Sequence, residues 1–243
     1  MDTHGGVLDD LERALAVASS ERDEYFFDHR RRYAHDLQLI ARLHRGGEIL
    51  EVGSFPCHLT YCLQRLGYPT VGVDLNPERV AAFIAAHGLN VVPCDVESGR
   101  LPFADGRFAL VVFNEVFEHL RIDPIGALRD IHRVLAPGGA LLLTTPNLYS
   151  LRNVISFCRG RGMMGGACQE FEKLRTVGHM GHVREYAARE VEEFLDRTGF
   201  EGVERRTVAY DRSRSGRLVD VCYRLVPPWR PYQVFISRKI AQI

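Results

Sequence analysis

The stretch Glu48-Ile49-Leu50-Glu51-Val52-Gly53-Ser54-Phe55-Pro56-Cys57 decides the fold. Its first five residues form a short apolar strand, the glycine begins a turn, and an amphipathic helix over residues 59–66 follows. Further strands are predicted at 70–74, 90–94, 108–113 and 140–144, and further helices at 77–87 and 124–135. Repeated strand–helix alternation at this spacing predicts an α/β fold, with a parallel sheet covered by helices on both faces.

Helical or irregular segments flank this core. The spacing of apolar residues predicts helices between residues 7 and 43, the second of them at 33–43, whereas residues 1–6 are expected to be loose. After the fifth strand the alternation stops, and a long non-repeating segment of this kind is typical of a lid or binding element. The chain therefore divides into an N-terminal helical lid (1–45), a cofactor-binding core (46–147), a substrate cap (148–183) and a segment that completes the α/β core (184–243).

Composition narrows the classes of partner. The 243 residues contain 31 Lys and Arg and 31 Asp and Glu, so the formal charge is zero, which disfavours a nucleic-acid partner. The six cysteines form no C-x-x-C pair, so neither a zinc ribbon nor a redox dithiol is predicted. The N-terminus lacks a signal-peptide pattern and no apolar run is long enough to span a bilayer. We therefore expect a cytoplasmic protein with no membrane partner, for which a homo-oligomer stays open.

Two acidic residues at strand ends predict a nucleoside-containing cofactor. Asp74 ends the second strand, 21 residues after Gly53, a spacing at which an acid can bind the two hydroxyls of a ribose. Asp95 follows the third strand, where it can reach an adenine amino group. The dinucleotide pattern G-x-G-x-x-G is broken by Phe55 and His58, and no Gly-Lys-Ser/Thr loop is present. A cofactor without a diphosphate is therefore predicted.

These residues resemble the class I S-adenosylmethionine (SAM)-dependent methyltransferase family, whose first motif is E-x-G-x-G-x-G. Glu51 and Gly53 match that motif, whereas Phe55 and Cys57 replace its second and third glycines. The turn at 134–139, Val-Leu-Ala-Pro-Gly-Gly, also resembles the family's turn before the fifth strand. The resemblance implies a Rossmann-like, seven-stranded, mostly parallel sheet with an antiparallel last strand, and SAM as the cofactor. It implies cofactor contacts by Tyr33, Glu51, Gly53, Ser54, Phe55, Asp74, Leu75, Asp95, Val96 and Asn114.

A second constellation follows the fourth strand. If this segment is helical, Glu115, Glu118 and His119 stand at positions i, i+3 and i+4 on one face. Two carboxylates and an imidazole there are suitable ligands for Mg²⁺ or Mn²⁺. The alternative is a metal-independent site, because a short E-H-L sequence is common in class I methyltransferases that need no metal. In those enzymes the glutamate and histidine pack or touch the substrate.

The E-x-x-E-H pattern resembles the metal motif of small-RNA 2′-O-methyltransferases, and similar residues occur in ubiquinone-pathway O-methyltransferases. In the RNA group a downstream histidine completes the site, and His182 stands in the corresponding place here. The resemblance thus implies Glu115, Glu118, His119 and His182 as metal ligands. We predict His179 as the base that takes the acceptor's proton, with substrate contact as its alternative role. If no metal binds, either His119 or His179 is the expected base.

The preferred interpretation is a metal-assisted O-methyltransferase that acts on a hydroxyl of a sugar or another small polar metabolite. An RNA 3′-terminal 2′-O-methyltransferase is the first alternative, which the motif favours and the neutral charge disfavours. A SAM-binding regulatory protein without turnover is the second, and only the replaced glycines favour it.

Overall fold

The computed structural model describes residues 3–18, 24–163, 166, 168, 171–172, 175–176, 181–210 and 216–240. One sheet contains β1 (Glu48–Val52), β2 (Thr70–Asp74), β3 (Val91–Pro93), β4 (Phe108–Asn114), β5 (Leu135–Pro146), β6 (Phe200–Val208) and β7 (Tyr232–Lys239). Its order is β3-β2-β1-β4-β5-β7-β6, and every neighbouring pair is parallel except the two that involve β7. The predicted seven-stranded, mostly parallel sheet with an antiparallel last strand is confirmed. The strand order reverses between β1 and β4, which is where such sheets bind ligands.

Helices cover both faces of the sheet. In the described part of the chain they are α1 (Thr3–Ala18), α2 (Glu24–Leu43), α3 (His58–Arg65), α4 (Ala81–His87), α5 (Pro124–Val134), α6 (Leu151–Cys158), α7 (Ala188–Arg197) and α8 (Gly216–Leu225). Among these residues no helix is both long and apolar enough to cross a membrane.

Two apolar clusters, one on each face of the sheet, join the sheet to the helices that cover it. Neighbouring residues of a strand contribute to different clusters because successive side chains point to opposite faces. Ile49 of β1 belongs to the cluster that contains Phe26 of α2, and its neighbour Leu50 belongs to the cluster that contains Leu128 of α5. Strands that are buried on both faces need a continuous apolar sequence, which explains the apolar run in β4.

The N-terminal helices begin earlier than predicted. Helix α1 begins at Thr3, although residues 1–6 are predicted to be loose, because burial of Val7 and Leu8 favours helix at this end. Helix α2 begins at Glu24 instead of residue 33. Its Phe26 side chain is buried two turns before Tyr33, so the apolar face is longer than the predicted one.

Two further differences lie downstream. Strand β5 begins at Leu135 instead of residue 140, because Leu135 pairs with Phe108 and a register shift in β4 accommodates the Pro-Gly-Gly sequence. Helix α8 is not predicted by the sequence. Valine lowers helix propensity, and none of the α8 residues is buried, so its apolar spacing does not point to the core.

Candidate active site

Two left-handed backbone positions shape the turn after β1. Gly53 has a φ of +78°, and a Cβ atom there would lie 2.2 Å from Cγ2 of Val116. Cys57 has a φ of 70° at the start of α3, a conformation that residues with a Cβ rarely adopt. The chain therefore keeps a left-handed turn at Cys57, although this residue replaces a motif glycine.

Asp74, the predicted ribose-binding acid, closes this turn from the end of β2. Its Oδ2 atom accepts a hydrogen bond from the N–H of Phe55 at 3.1 Å, and its Oδ1 atom accepts one from the N–H of Asn76 at 3.0 Å. Each carboxylate oxygen can accept a second hydrogen bond. Asp74 thus holds the loops that follow β1 and β2. Both of its oxygens can still accept a hydrogen bond from a ribose hydroxyl.

Six of the predicted cofactor residues line one crevice of about 60 Å³ beside this turn. Glu51 is buried in it and accepts a hydrogen bond from the hydroxyl of Thr60. Burial raises the pKa of Glu51 to about 8. The hydroxyl of Tyr33 lies 3.4 Å from Nδ1 of His58. The predicted residues that meet in this crevice are Tyr33, Glu51, Gly53, Ser54, Phe55 and Asn114.

The other predicted cofactor residues follow the ends of β2 and β3. Leu75 comes directly after β2, and its side chain is exposed. Asp95 follows β3 and accepts hydrogen bonds from the hydroxyl of Ser98 and the N–H of Glu97, which lower the pKa of the Asp95 carboxyl. Val96 packs against the apolar cluster on the α5 side. Their position at the carboxyl edge of the sheet suits an adenosine, and their contact with it stays a prediction.

Two ionisable residues of α2 line the crevice without having been predicted. Arg32 and Asp36 lie one turn apart, and both are buried. Asp36 Oδ2 accepts a hydrogen bond from Nδ2 of Asn114 at 3.1 Å, whereas Asp36 Oδ1 and Asn114 Oδ1 have no hydrogen-bond partner within the described residues. Nδ1 of His35 lies 3.7 Å from Asp36 Oδ1. The sequence contains one sign that Arg32 and Asp36 face the interior: they form a charged pair with i, i+4 spacing next to the apolar residues Leu37 and Ile40.

The segment after β4 does not form the predicted helical face. Glu115 has a φ of +54°, which turns the chain away from a right-handed helix, and only Phe117–His119 form a single 3₁₀ turn. The condition under which the two glutamates and the histidine would share one helical face, a helix directly after β4, is therefore not met. Glu115 Oε1 instead accepts a hydrogen bond from the hydroxyl of Thr144 at 2.8 Å, and its Oε2 lies 4.0 Å from Nη1 of Arg32.

Three of the four predicted metal ligands nevertheless come together. Ligand atoms of Glu118, His119 and His182 all lie within 4.8 Å of one another, and Glu115 is not in this group. Nε2 of His119 lies 3.9 Å from Glu118 Oε1, and Nε2 of His182 lies 4.0 Å from the same oxygen. That oxygen is buried without a hydrogen-bond partner among the described residues, whereas Oε2 accepts a hydrogen bond from Thr145 at 2.9 Å. Burial, and then the nearby Glu115, raises the pKa of Glu118 well above its ordinary value.

Hydrogen bonds at Nδ1 orient the rings of both histidines. Nδ1 of His119 donates to the carbonyl oxygen of Gly181 at 2.7 Å, and Nδ1 of His182 donates to Glu185 Oε1 at 3.3 Å. Nδ2 of Asn153 donates to Glu185 Oε2 at 2.6 Å, so helix α6 holds that carboxylate. Metal-binding histidines in proteins are held in this way through their second ring nitrogen. The donor atoms, their orientation and the unpartnered carboxylate oxygen of this cluster therefore fit a divalent ion.

A cavity of about 320 Å³ opens beside the cluster. The cluster lines one part of it, and Arg152 and Asn153 of α6 line another. This cavity adjoins the crevice of about 60 Å³ beside the turn after β1, which we call the cofactor crevice. The two spaces share the lining residues Tyr25, Arg32 and Glu115. The volume suits a small acceptor molecule. The predicted base, His179, lies outside the described residues, and its role and the predicted cap boundaries at 148 and 183 stay predictions.

Comparisons with known proteins show the family to which the chain belongs. A family model described as a methyltransferase domain matches residues 25–205. A protein of Mycolicibacterium smegmatis that is named as an S-adenosylmethionine-dependent methyltransferase is 29% identical over 78% of this chain and 64% of its own length. A ubiquinone biosynthesis O-methyltransferase of Xanthomonas oryzae is 36% identical over 42% of this chain and 44% of its own. The chain thus spans less than two thirds of the length of these relatives.

Solved structures share the fold. A SAM-dependent methyltransferase of Thermotoga maritima superposes with a TM-score of 0.59 over 94% of this chain and 99% of its own, at 18% identity. The family model covers both strands that form the cofactor turn and the whole segment from Tyr25 to β5 that surrounds the crevice. The chain therefore belongs to the methyltransferase-domain family and, within it, to the class I SAM-dependent methyltransferases.

Proposed function

We propose that this protein is a SAM-dependent O-methyltransferase that methylates a hydroxyl of a sugar or another small polar metabolite, assisted by a divalent ion. The observation that carries the proposal is the cluster of Glu118, His119 and His182 in a cavity that adjoins the cofactor crevice. The name of the Xanthomonas relative, an O-methyltransferase, supports oxygen as the acceptor atom.

Several side chains that line the cavity have a proposed part in this chemistry. In methyl transfer a bond forms between the acceptor oxygen and the methyl carbon while the sulfur–carbon bond breaks, and the hydroxyl proton passes to a base, for which we propose His179. Arg32 and Glu115 stand where the two spaces adjoin, and they orient the acceptor next to the cofactor. A divalent ion held by the cluster would lower the pKa of the hydroxyl and fix its position.

The donor set favours Mn²⁺ over Mg²⁺. Two imidazole nitrogens and one carboxylate oxygen face one another in the cluster. Mg²⁺ prefers an all-oxygen environment. Mn²⁺ also takes oxygen ligands, but as a first-row transition ion it accepts imidazole nitrogen more readily than Mg²⁺ does. We therefore expect Mn²⁺ to bind more tightly than Mg²⁺.

The test is calorimetric titration of Mn²⁺ and Mg²⁺ into protein loaded with S-adenosylhomocysteine, the demethylated cofactor. We expect about one Mn²⁺ per chain, lost in Glu118→Gln and kept in the control Glu193→Gln, which changes an exposed carboxylate of α7. Methyl transfer to a panel of glycosides, amines and short RNA is then measured with and without EDTA. Transfer to amines alone, or transfer insensitive to EDTA, would contradict the proposal, and transfer to the RNA 3′ end would favour the alternative acceptor.

A further inference from the structure

Helix α8 carries an exposed apolar stripe on the surface of the protein. Leu218, Val221 and Leu225 are 78%, 48% and 77% exposed, and their i, i+3, i+7 spacing places them on one side of the helix. None of the ten helical residues is buried. The apolar face of this helix is thus directed away from the core, unlike the faces of α2 and α5.

The charges of α8 give the stripe a positive edge. Arg217 and Arg224 are exposed, and neither forms a hydrogen bond or ion pair with another residue in the described ranges. The single acidic side chain of the helix, Asp220, is turned inward, with its Oδ1 atom buried. The outward surface of α8 therefore combines leucines with arginines that no carboxylate neutralises within the described chain.

The helix is also held firmly in place. Arg230 Nε donates to the carbonyl oxygen of Tyr223 in α8 at 3.2 Å, and its Nη1 donates to the carbonyl oxygen of Thr207 in β6 at 3.0 Å. The N–H of Val226 continues the helical pattern to Cys222 at 2.8 Å. The exposed leucines therefore belong to an anchored element of the fold.

We infer that α8 docks on the surface of an anionic lipid bilayer. A short helix with leucines on one side and flanking arginines can insert its apolar stripe at the headgroup boundary while the arginines meet anionic lipids. A second copy of the chain fits less well, because stable protein interfaces bury about 800 Å² per partner and three aliphatic side chains offer far less. Docking through α8 places the helix in the plane of the interface, without crossing it.

The location of α8 relates this surface to the acceptor cavity. Pro231 and Tyr232, which come directly after the residue that anchors the helix, line that cavity. Asn147, at the end of β5, donates through Nδ2 to the carbonyl oxygens of Pro228 and Arg230 and so joins the two regions. The segment that ties α8 to the fold is thus followed directly by residues that line one edge of the cavity. Docking through α8 departs from the expectation of no membrane partner, which stays a prediction.

The experiment is vesicle flotation of the full chain with phosphatidylcholine vesicles that contain either no anionic lipid or one quarter phosphatidylglycerol. We expect binding to the anionic vesicles, reduced roughly tenfold or more in a Leu218→Glu, Leu225→Glu double variant. The control for each single change, Leu218→Glu or Leu225→Glu, is Ile122→Glu, which adds the same charge at an aliphatic residue outside α8 that is 65% exposed, and this control should bind like the wild type. Arg217→Gln with Arg224→Gln should weaken binding to the anionic vesicles specifically, and added salt should do the same.

Three outcomes would overturn the inference. The first is the absence of wild-type binding to anionic vesicles, and the second is equal loss in the Ile122→Glu control. The third is a dimer, seen by light scattering of the wild type without lipid, that the double leucine variant dissociates. Circular dichroism and S-adenosylhomocysteine titration of each variant check the fold and the cofactor site, and a loss of vesicle binding reports on α8 only in variants that keep both.

Discussion

Replacing Gly53 with alanine tests the geometry of the cofactor turn most directly. The backbone at Gly53 is left-handed, with a φ of +78°, and an added Cβ would lie 2.2 Å from Cγ2 of Val116, far inside contact distance. Val116 comes directly before the 3₁₀ turn that carries Glu118 and His119. The added methyl group must therefore displace either the cofactor turn or the turn that holds the proposed metal ligands.

Gly53→Ala should lower the free energy of unfolding for two reasons, and a control variant separates them. A left-handed residue with a Cβ costs about 1–2 kcal/mol, and forcing extra volume against a stiff β-branched side chain adds about 1–3 kcal/mol. Gly67 has nearly the same φ, +84°, but no atom lies within 4 Å of the position of its added Cβ. Gly67→Ala therefore carries only the first part, and Gly53→Ala should lower the free energy of unfolding by about 1–3 kcal/mol more than the control.

Urea unfolding of the wild type and both variants measures this difference, and calorimetry with S-adenosylhomocysteine measures the effect on the site. We expect the affinity of Gly53→Ala to fall by about tenfold or more, since the turn that borders the crevice is displaced, and that of Gly67→Ala to stay near the wild-type value. Equal unfolding free energies for the two variants, or unchanged affinity in Gly53→Ala, would refute the steric argument.

Three further changes test other parts of the site. Because burial gives Glu51 a pKa of about 8, the folded protein keeps a proton that the unfolded chain loses at lower pH. The contribution of Glu51 to the free energy of unfolding of the cofactor-free protein should therefore fall as pH rises toward 8, by at most ~1.4 kcal/mol per pH unit. Glu51→Gln should make this pH dependence shallower in urea unfolding, and parallel curves would contradict it. Asp74→Asn, which replaces an acceptor oxygen by a donor, should weaken S-adenosylhomocysteine binding by roughly tenfold or more in calorimetry, whereas an unchanged affinity would exclude a role in ribose binding. Asn153→Ala, which releases Glu185 from helix α6, should weaken Mn²⁺ binding by about 10–100-fold, and equal titration curves would show that Glu185 does not orient the cluster.

The cofactor side of the site could be predicted because its residues follow the ends of neighbouring parallel strands. Gly53 follows β1, Asp74 ends β2 and Asn114 ends β4, and a parallel sheet brings these ends to one edge whatever the intervening loops do. Strand periodicity and spacing along the chain therefore sufficed for these residues. The same reasoning does not reach Arg32 and Asp36, because their distance from the crevice depends on how α2 packs across the sheet.

The acceptor side was harder to predict because one backbone conformation decides it. A helical turn after β4 would have placed Glu115 beside Glu118, but the left-handed φ at Glu115 directs its carboxylate to Thr144 and Arg32 instead. His182 joins the cluster from more than 60 residues away, since the N–H groups of Val183 and Arg184 bond to the carbonyl oxygen of Glu118. Such long-range backbone pairing leaves no local pattern in the sequence, so only the resemblance to the RNA group implied His182 as a ligand.

The two replaced motif glycines are compatible with a working cofactor turn for reasons that differ between them. The N–H of Phe55 reaches Asp74, and its ring packs under the guanidinium of Arg79 at 3.9 Å from the centroid, so the side chain is accommodated beside the crevice. Cys57 keeps the left-handed conformation of a glycine at a cost of about 1–2 kcal/mol and buries its small side chain completely. Gly53 is the position where a Cβ would meet a neighbouring side chain at 2.2 Å. The one motif glycine that the chain retains is thus the one at which a Cβ would clash, so packing against Val116 is enough to explain why it is kept. Because the two replaced positions leave the turn and the hydrogen bond to Asp74 intact, their side chains give no reason to expect a degenerate site.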